Sequence, residues 1–340
     1  MNTIMQVGRL IVPEAMVLLE RRFNILRTVS LENPVGRRLL AQKTGLTERI
    51  TRAETDFLKS RNLIDIQSQG MMITEQGQKL LEILDEVMQE FLGFEQLAEL
   101  ISQRLHFSKV LIVPGDSDRD PEVLEEMGRT AASLLASAMK EQTIVALTGG
   151  NTVKKMVDRF PETTKYQNVT VVSARGSLGK NYEIQSNTLV GRLADKIGGT
   201  YRSLNLPDNL SAEALVTMLR EQDVSETVDL IKRAGIVVAG VGAALAMAKR
   251  RSLPESVIEE LQGLEAEGEF FGSYYNQNGK IVKESCTPGL TLQDAKKAKK
   301  VFILAGGSSK AKPILSVDFE GMNATLITDE GAARKLIEIS

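Results

Sequence analysis

Five short apolar runs, each ending in glycine, constrain most of this chain: KVLIVPG at 109–115, TIVALTGG at 143–150, VTVVSARG at 169–176, GIVVAGVG at 235–242 and VFILAGG at 301–307. Each is short for a helix and too continuously apolar for a strand with one wet face. ATLIT at 324–328 reads as a last strand, and segments such as PEVLEEMGRTAASLLASAMK and NTLVGRLADKIG separate the runs with helical spacing. Strands buried on both faces and alternating with helices predict a Rossmann-like, doubly wound α/β sheet over residues 91–340. Ligands of such sheets bind beyond the carboxyl ends of the strands. Those ends here read LTGGNT, SARGS, AGVGA and LAGGSSK.

Their chemistry favours an anion. Gly149 and Gly150 permit close backbone approach, and Asn151 and Thr152 open a helix whose free N–H groups attract negative charge. Lys155 stands one turn on, Arg175 follows the third strand, and LAGGSSKAKP repeats two glycines, hydroxyls and then Lys310. Arginine's planar fork suits a phosphate. The spacing is not that of a Walker A loop. Gly240 and Gly242 form a G-x-G without its third glycine, since Leu245 stands there. A nucleotide therefore loses ground to a small polyanion, with two phosphates as one form. Tight strand–helix turns and a surface arginine account for the same residues without a ligand.

The first ninety residues follow a different pattern. Apolar residues recur at helical spacing through PEAMVLLERRFNILRTVS. After Asn33-Pro34, a short helix to about Lys43, a turn at Thr44-Gly45-Leu46 and a second helix capped by Thr47 predict a helix-turn-helix. Ile50, Ala53, Phe57 and Leu58 form the expected inward face, which leaves Glu48, Arg49, Thr51, Arg52 and Thr55 outside, where a recognition helix reads the major groove. LIDIQ, a Ser68-Gln69-Gly70 turn and MMIT suggest a wing, and EQGQKLLEILDEVMQEFL a linker helix ending this 1–90 domain. Residues 21–61 hold ten basic side chains, Arg37 and Arg38 among them, against four acidic ones, in a chain of net charge −2. A basic segment on an acidic remainder predicts a polyanion, double-stranded DNA, as partner of that segment. A small helical domain with an arginine-rich face is the competing reading.

Composition narrows the chemistry. One cysteine, Cys286, excludes an internal disulfide, and one histidine, His106, leaves little from which to build a zinc, haem or iron–sulfur site. His106 suits a helix end better than a catalytic triad. No apolar run approaches the ~20 residues that span a bilayer. The start lacks a secretory pattern, and a cytoplasmic location without a membrane partner is expected.

In order, the helix-turn-helix, TGGNTV, SARGS, VVAGVG, EGEFFGSYYNQNGK and LAGGSSKAKPI resemble the SorC family of sugar-responsive bacterial regulators over nearly the whole chain. The family's effector domain is similar to sugar-phosphate isomerases and deaminases such as glucosamine-6-phosphate deaminase. The resemblance implies a transcriptional repressor of glycolytic genes, no cofactor, and fructose-1,6-bisphosphate or a related sugar phosphate as effector. It implies that Gly149, Gly150, Asn151 and Thr152, with Lys155, hold one phosphate, and that Arg175, Arg250 and Lys310 are candidates for the other. Gln185 and Glu269 could bind sugar hydroxyls, Glu269 alternatively bracing a loop or pairing with a base. Which of Lys249, Arg250 and Arg251 faces inward stays open. A homodimer is expected, and a tetramer on DNA is conceivable. The deaminases carry an acid and a histidine after the strand matching GIVVAGVG. This chain continues AALAMAKR, so the base that proton abstraction needs is missing. The alternatives are a regulator of another sugar operon responding to a monophosphate, or an isomerase or deaminase.

Overall fold

The computed structural model describes residues 11–91, 93–163, 165–177, 181–207 and 210–340, with the backbone alone at 13 and 85–91. Lys180, which the sequence places five residues after Arg175, lies outside the described residues. The chain divides into two compact units, Met1–Gln96 and Leu97–Ser340.

In the first unit, α1 (Pro13–Leu31) starts with proline at a first-turn position, where the missing N–H costs nothing. Helix α2 (Arg37–Thr44) stops at Gly45, whose φ of 66° is the left-handed cap that ends helices. Helix α3 (Glu48–Ser60) begins at Thr47, whose hydroxyl accepts the N–H of Ile50 at 3.3 Å. An antiparallel hairpin follows, β1 (Ile64–Gln67) with β2 (Gly70–Ile73), and then α4 (Glu75–Phe91). Phe23, Ile25, Leu26, Val29, Leu40, Leu58, Ile64 and Met71 form its core.

The second unit begins within α5 (Phe94–Leu105). It then runs β3 (Lys109–Val113), α6 (Pro121–Ala138), β4 (Ile144–Leu147), α7 (Asn151–Arg159), β5 (Thr170–Ser173), α8 (Ser186–Ile197) and β6 (Thr200–Arg202). Helices α9 (Ala212–Met218) and α10 (Gln222–Lys232) lead to β7 (Ile236–Ala239). Next come β8 (Gly242–Ala243), α11 (Ala244–Arg250), α12 (Glu255–Gly263), β9 (Ala266–Phe270), β10 (Ser273–Asn276) and β11 (Ile281–Glu284). The chain closes with α13 (Leu292–Lys297), β12 (Lys300–Leu304), α14 (Ala311–Leu315), β13 (Ala324–Asp329) and α15 (Glu330–Ile339).

All the predicted runs are strands of one seven-stranded sheet, in order β3-β13-β12-β7-β4-β5-β6. Every pairing in it is parallel. Helices α6, α7 and α8 bury Met127, Leu135, Met156, Val157, Leu189 and Leu193 against Val145, Leu147, Val171 and Val238. The strand order reverses between β4 and β7, and this switch point opens a crevice at the carboxyl ends. The short strand β6 and the antiparallel sheet β11-β10-β9-β8 go beyond the sequence expectations. Phe271 and Gly272 make the two-residue β9–β10 turn, with φ of 47° and 87°.

A Cβ on Gly77, in the first turn of α4, would lie 2.0 Å from the Leu63 carbonyl oxygen, an unyielding backbone atom. Gly77→Ala is expected to destabilise the first unit by about 1–3 kcal/mol, read by chemical denaturation followed by circular dichroism.

Candidate functional site

Burial on α3 corrects the expected DNA-facing residues. Thr51 and Thr55 are fully buried beside Glu54 and Leu58, on a stripe of i, i+3, i+4, i+7 spacing, while Ala53 is exposed. Each buried threonine satisfies its hydroxyl on its own helix, on the Thr47 and Arg52 carbonyls at 3.0 Å. Thr47, Glu48, Arg49 and Arg52 remain exposed, with Arg37 and Arg38 on α2. Other basic residues of the segment are committed inside the unit. Glu54 takes Arg22 at 2.8 Å and Arg21 at 3.3 Å, Arg22 lies 3.5 Å from the Phe57 ring centre, and Lys43 pairs with Glu32. The surface left for a polyanion is therefore smaller and more specific than the raw charge count.

In the second unit the crevice at the strand ends is a cavity of about 270 Å³. Its lining includes Gly149, Gly150, Asn151, Thr152, Arg175, Gln185, Arg250, Glu269 and Lys310 from the expected set. Lys155 is absent from it. One turn into α7 its side chain turns outward to Glu125, which also takes Arg159 at 2.7 Å. That carboxylate lies below its usual range: burial alone would raise it, and hydrogen bonds from Lys155 and Arg159 overcome the burial.

The α7 end is built for an anion. Gly150 precedes the helix at φ 130° and no side chain caps it, so the first-turn N–H groups have no partner within the helix. Gly149 permits the approach of the next segment, since a Cβ there would lie 2.5 Å from the Ile184 carbonyl oxygen. The Gly150 N–H donates to that same carbonyl at 2.9 Å. Helix α8 brings its own N-terminus to the cavity through Gln185 and Ser186, again without a side-chain cap.

The opposite wall is cationic. Arg251, one of the three adjacent cations among which the sequence left the choice open, is buried and donates to Glu269 Oε1 at 2.7 Å and to the Tyr274 hydroxyl at 2.9 Å. Arg175 donates to the same Oε1 at 2.8 Å, and the Gly272 N–H at 2.7 Å. Burial would raise the Glu269 carboxyl, but the charges of Arg251 and Arg175 and these hydrogen bonds hold it at about 2. Glu269 thus pairs with bases and braces the β9–β10 turn, the alternative role foreseen for it. Among the described residues Arg250 and Lys310 have no ion pair, whereas Arg175 and Arg251 share Glu269. Burial pushes the Lys310 ammonium down, Asp118 opposing and Arg250 adding to the shift. Burial also lowers Arg250, with the neighbouring Arg251 charge reinforcing it. An anion placed beside them would oppose both shifts.

The LAGGSSK loop contributes less than its sequence suggests. The Gly307, Ser308 and Ser309 N–H groups are already taken by Asp329, Asp116 and Asp118 at 2.6, 3.2 and 2.7 Å. Both serine hydroxyls donate to Asp118. Lys310 alone carries this loop's charge into the cavity. His106 is exposed just past α5 and does not line it. Among the described residues no helix is long and apolar enough to cross a membrane, and no cluster of His, Cys, Asp and Glu could hold a metal.

Glu269 is depressed in the folded state, so its contribution to stability is complete above the ordinary value of 4.5 and is lost as pH falls from there toward 2. Acid unfolding of the native chain should show this loss, on the order of 3 kcal/mol. Glu269→Gln should start less stable and lack that segment of the curve.

Comparison with known proteins agrees with this architecture. Residues 18–88 match the family model of the CggR N-terminal DNA-binding domain, and residues 89–338 match that of a sugar-binding domain. The chain is 40% identical to the central glycolytic genes regulator of Priestia megaterium and 37% identical to that of Bacillus subtilis, covering 99% of both chains in each case. The structure of a SorC family transcriptional regulator from Enterococcus faecalis superposes with a TM-score of 0.66 at 31% identity, over 71% of this chain and 99% of that one. Full-length SorC, the sorbitol operon regulator of Klebsiella pneumoniae, shares the fold with a TM-score of 0.65 at 16% identity, over 92% and 97%. Each of these is a transcriptional regulator and none is an enzyme. With an N-terminal DNA-binding domain and a parallel-sheet sugar-binding domain, the chain belongs to the SorC family of transcriptional regulators.

Proposed function

We propose that this chain is a cytoplasmic repressor of central glycolytic genes whose operator binding is relieved by fructose-1,6-bisphosphate. The observation that carries the reading is the division of one cavity into two anion-seeking ends, an uncapped α7 N-terminus and the cations of Arg250 and Lys310, which make no ion pair among the described residues. A sugar with a phosphate at each end satisfies both, whereas a monophosphate leaves one uncompensated. The regulators to which the chain is 40% and 37% identical are named for central glycolytic genes, which supports a glycolytic effector. Arg37, Arg38, Arg49 and Arg52 supply phosphate contacts and base readout on the operator. Thr47 and Glu48 lie at the end of α3 from which a recognition helix meets base edges. For release, the bisphosphate must bind the DNA-incompetent state more tightly, so ligand and operator each lower the other's affinity by the same factor.

Fluorescence anisotropy of operator DNA, titrated with a panel of glycolytic phosphates, tests this directly. Fructose-1,6-bisphosphate is expected to release the DNA and to raise the melting temperature, and monophosphates to act weakly. A response to a monophosphate alone, or none to the bisphosphate, would overturn the assignment.

Substitutions separate the two sites. Arg250→Ala and Lys310→Ala should each raise the effector concentration needed for release by about tenfold or more, since each removes a charge-assisted contact. Their operator affinity without ligand should stay near native. Lys155→Ala should leave the effector response near native, because its amine serves Glu125. Arg49→Ala and Arg52→Ala should weaken operator binding and, where the lost contact is to phosphate, reduce the slope against log salt by about 1 each.

A further inference from the structure

Building on a sugar-phosphate effector, we propose that Asp118 reads the sugar's hydroxyls, accepting hydrogen bonds from them at the Lys310 end of the cavity and repelling anions that carry none. Ser117 and Asp118, from the loop between β3 and α6, line the cavity together with Lys310. Their backbone is fixed from two sides. The Ser117 N–H and hydroxyl donate to the buried Asp329 at 2.9 and 2.6 Å, and the Asp118 N–H donates to Asp116 at 3.0 Å. Gly307, at φ 93°, makes room for the side chain: a Cβ there would lie 2.4 Å from Asp118 Oδ1.

The carboxylate is held but not used up. Oδ2 accepts the Ser309 N–H at 2.7 Å and, more weakly, the Ser308 hydroxyl at 3.4 Å, and Oδ1 accepts the Ser309 hydroxyl at 3.1 Å. A carboxylate offers about four acceptor sites, so these donors leave capacity on Oδ1. Asp118 is exposed, and among the described residues it makes no ion pair. Glu269, the other acidic residue of the lining, is buried and already faces Arg175 and Arg251. Burial lowers the Lys310 ammonium, and the charge of Asp118 is the strongest influence opposing that shift. A phosphate drawn to Lys310 therefore brings the hydroxyls of its neighbouring carbons to Asp118.

In a cavity built for anions, a carboxylate without a cation weakens every ligand phosphate by repulsion. Hydroxyls offset that cost, because a hydrogen bond to an ionised acceptor is about twice as strong as one between neutral groups. Hexane-1,6-diol bisphosphate carries its phosphates on the same number of carbons as fructose-1,6-bisphosphate and has no hydroxyl. It meets the repulsion alone.

Isothermal titration calorimetry of the full chain with these two ligands tests the role. The native chain should prefer the sugar by on the order of 100-fold or more. Asp118→Asn keeps an acceptor for the Ser309 N–H and removes the charge. It should bind the hydroxyl-free bisphosphate several-fold more tightly and cut the preference for the sugar by about tenfold or more. Ser309→Ala removes a donor to Asp118 and leaves its charge, so the native preference should persist. If Asp118 only braced the serine loop, its loss would move both ligands together, and Ser309→Ala would do the same. A native chain without the preference, an unchanged preference in Asp118→Asn, or a preference lost in Ser309→Ala would overturn the proposal. Should the native chain bind fructose-6-phosphate in place of the bisphosphate, the effector assignment falls, while Asp118 stands or falls on the same variants with fructose-6-phosphate and hexyl phosphate.

Discussion

A single buried oxygen holds the sugar-binding unit together where its two sheets meet. Glu269 Oε1 accepts from Arg175 at the end of β5, from Arg251 just after α11, and from the N–H of Gly272 in the β9–β10 turn. Two arginines and a carboxylate with almost no access to water are costly to bury, and the arrangement persists only because each charge has partners. The cluster fixes the antiparallel sheet against the parallel one and orients the wall formed by Phe270 and Phe271. Phe271 keeps its positive φ there, a conformation that bulky residues adopt only when their surroundings impose it.

The topology explains why the cavity lies where it does. At the switch between β4 and β7, successive connections leave in opposite directions, and the gap is lined by loop backbone instead of side chains packed in register. Backbone N–H groups at two helix starts then face inward on one side. The other side receives cations from α11 and from the β12–α14 connection. The site is thus a product of strand order, and the residues that complete it come from parts of the chain more than one hundred positions apart.

Much of this was legible in the sequence because it follows from local rules. Continuous apolar runs gave the parallel strands, and Thr47, Gly45 and the following hairpin gave the winged helix-turn-helix. The errors share a cause, the direction of a side chain about its helix. On α3, two stripes compete: Ile50, Ala53 and Phe57 against Thr51, Glu54, Thr55 and Leu58. The second stripe is buried because threonines can return their hydroxyls to the helix and Glu54 finds Arg21 and Arg22. Nothing local announces that pairing. Likewise Lys155 sits at the right distance along α7 but faces Glu125, thirty residues earlier. The serines of LAGGSSK look available until Asp116, Asp118 and Asp329 arrive from other loops. The antiparallel sheet escaped notice because β8 has two residues and β9 carries glycine and two glutamates within five.

The internal pairing of Glu269 has a consequence for selectivity. Glu269 offsets one of the two charges of Arg175 and Arg251, and among the described residues Arg250 and Lys310 have no ion pair at all, so the cavity keeps a net positive charge. A neutral sugar filling the cavity would strip water from both cations and offer its hydroxyl oxygens in exchange but no compensating charge. Hydration energy of this kind favours an anionic ligand over a neutral one without any steric gate.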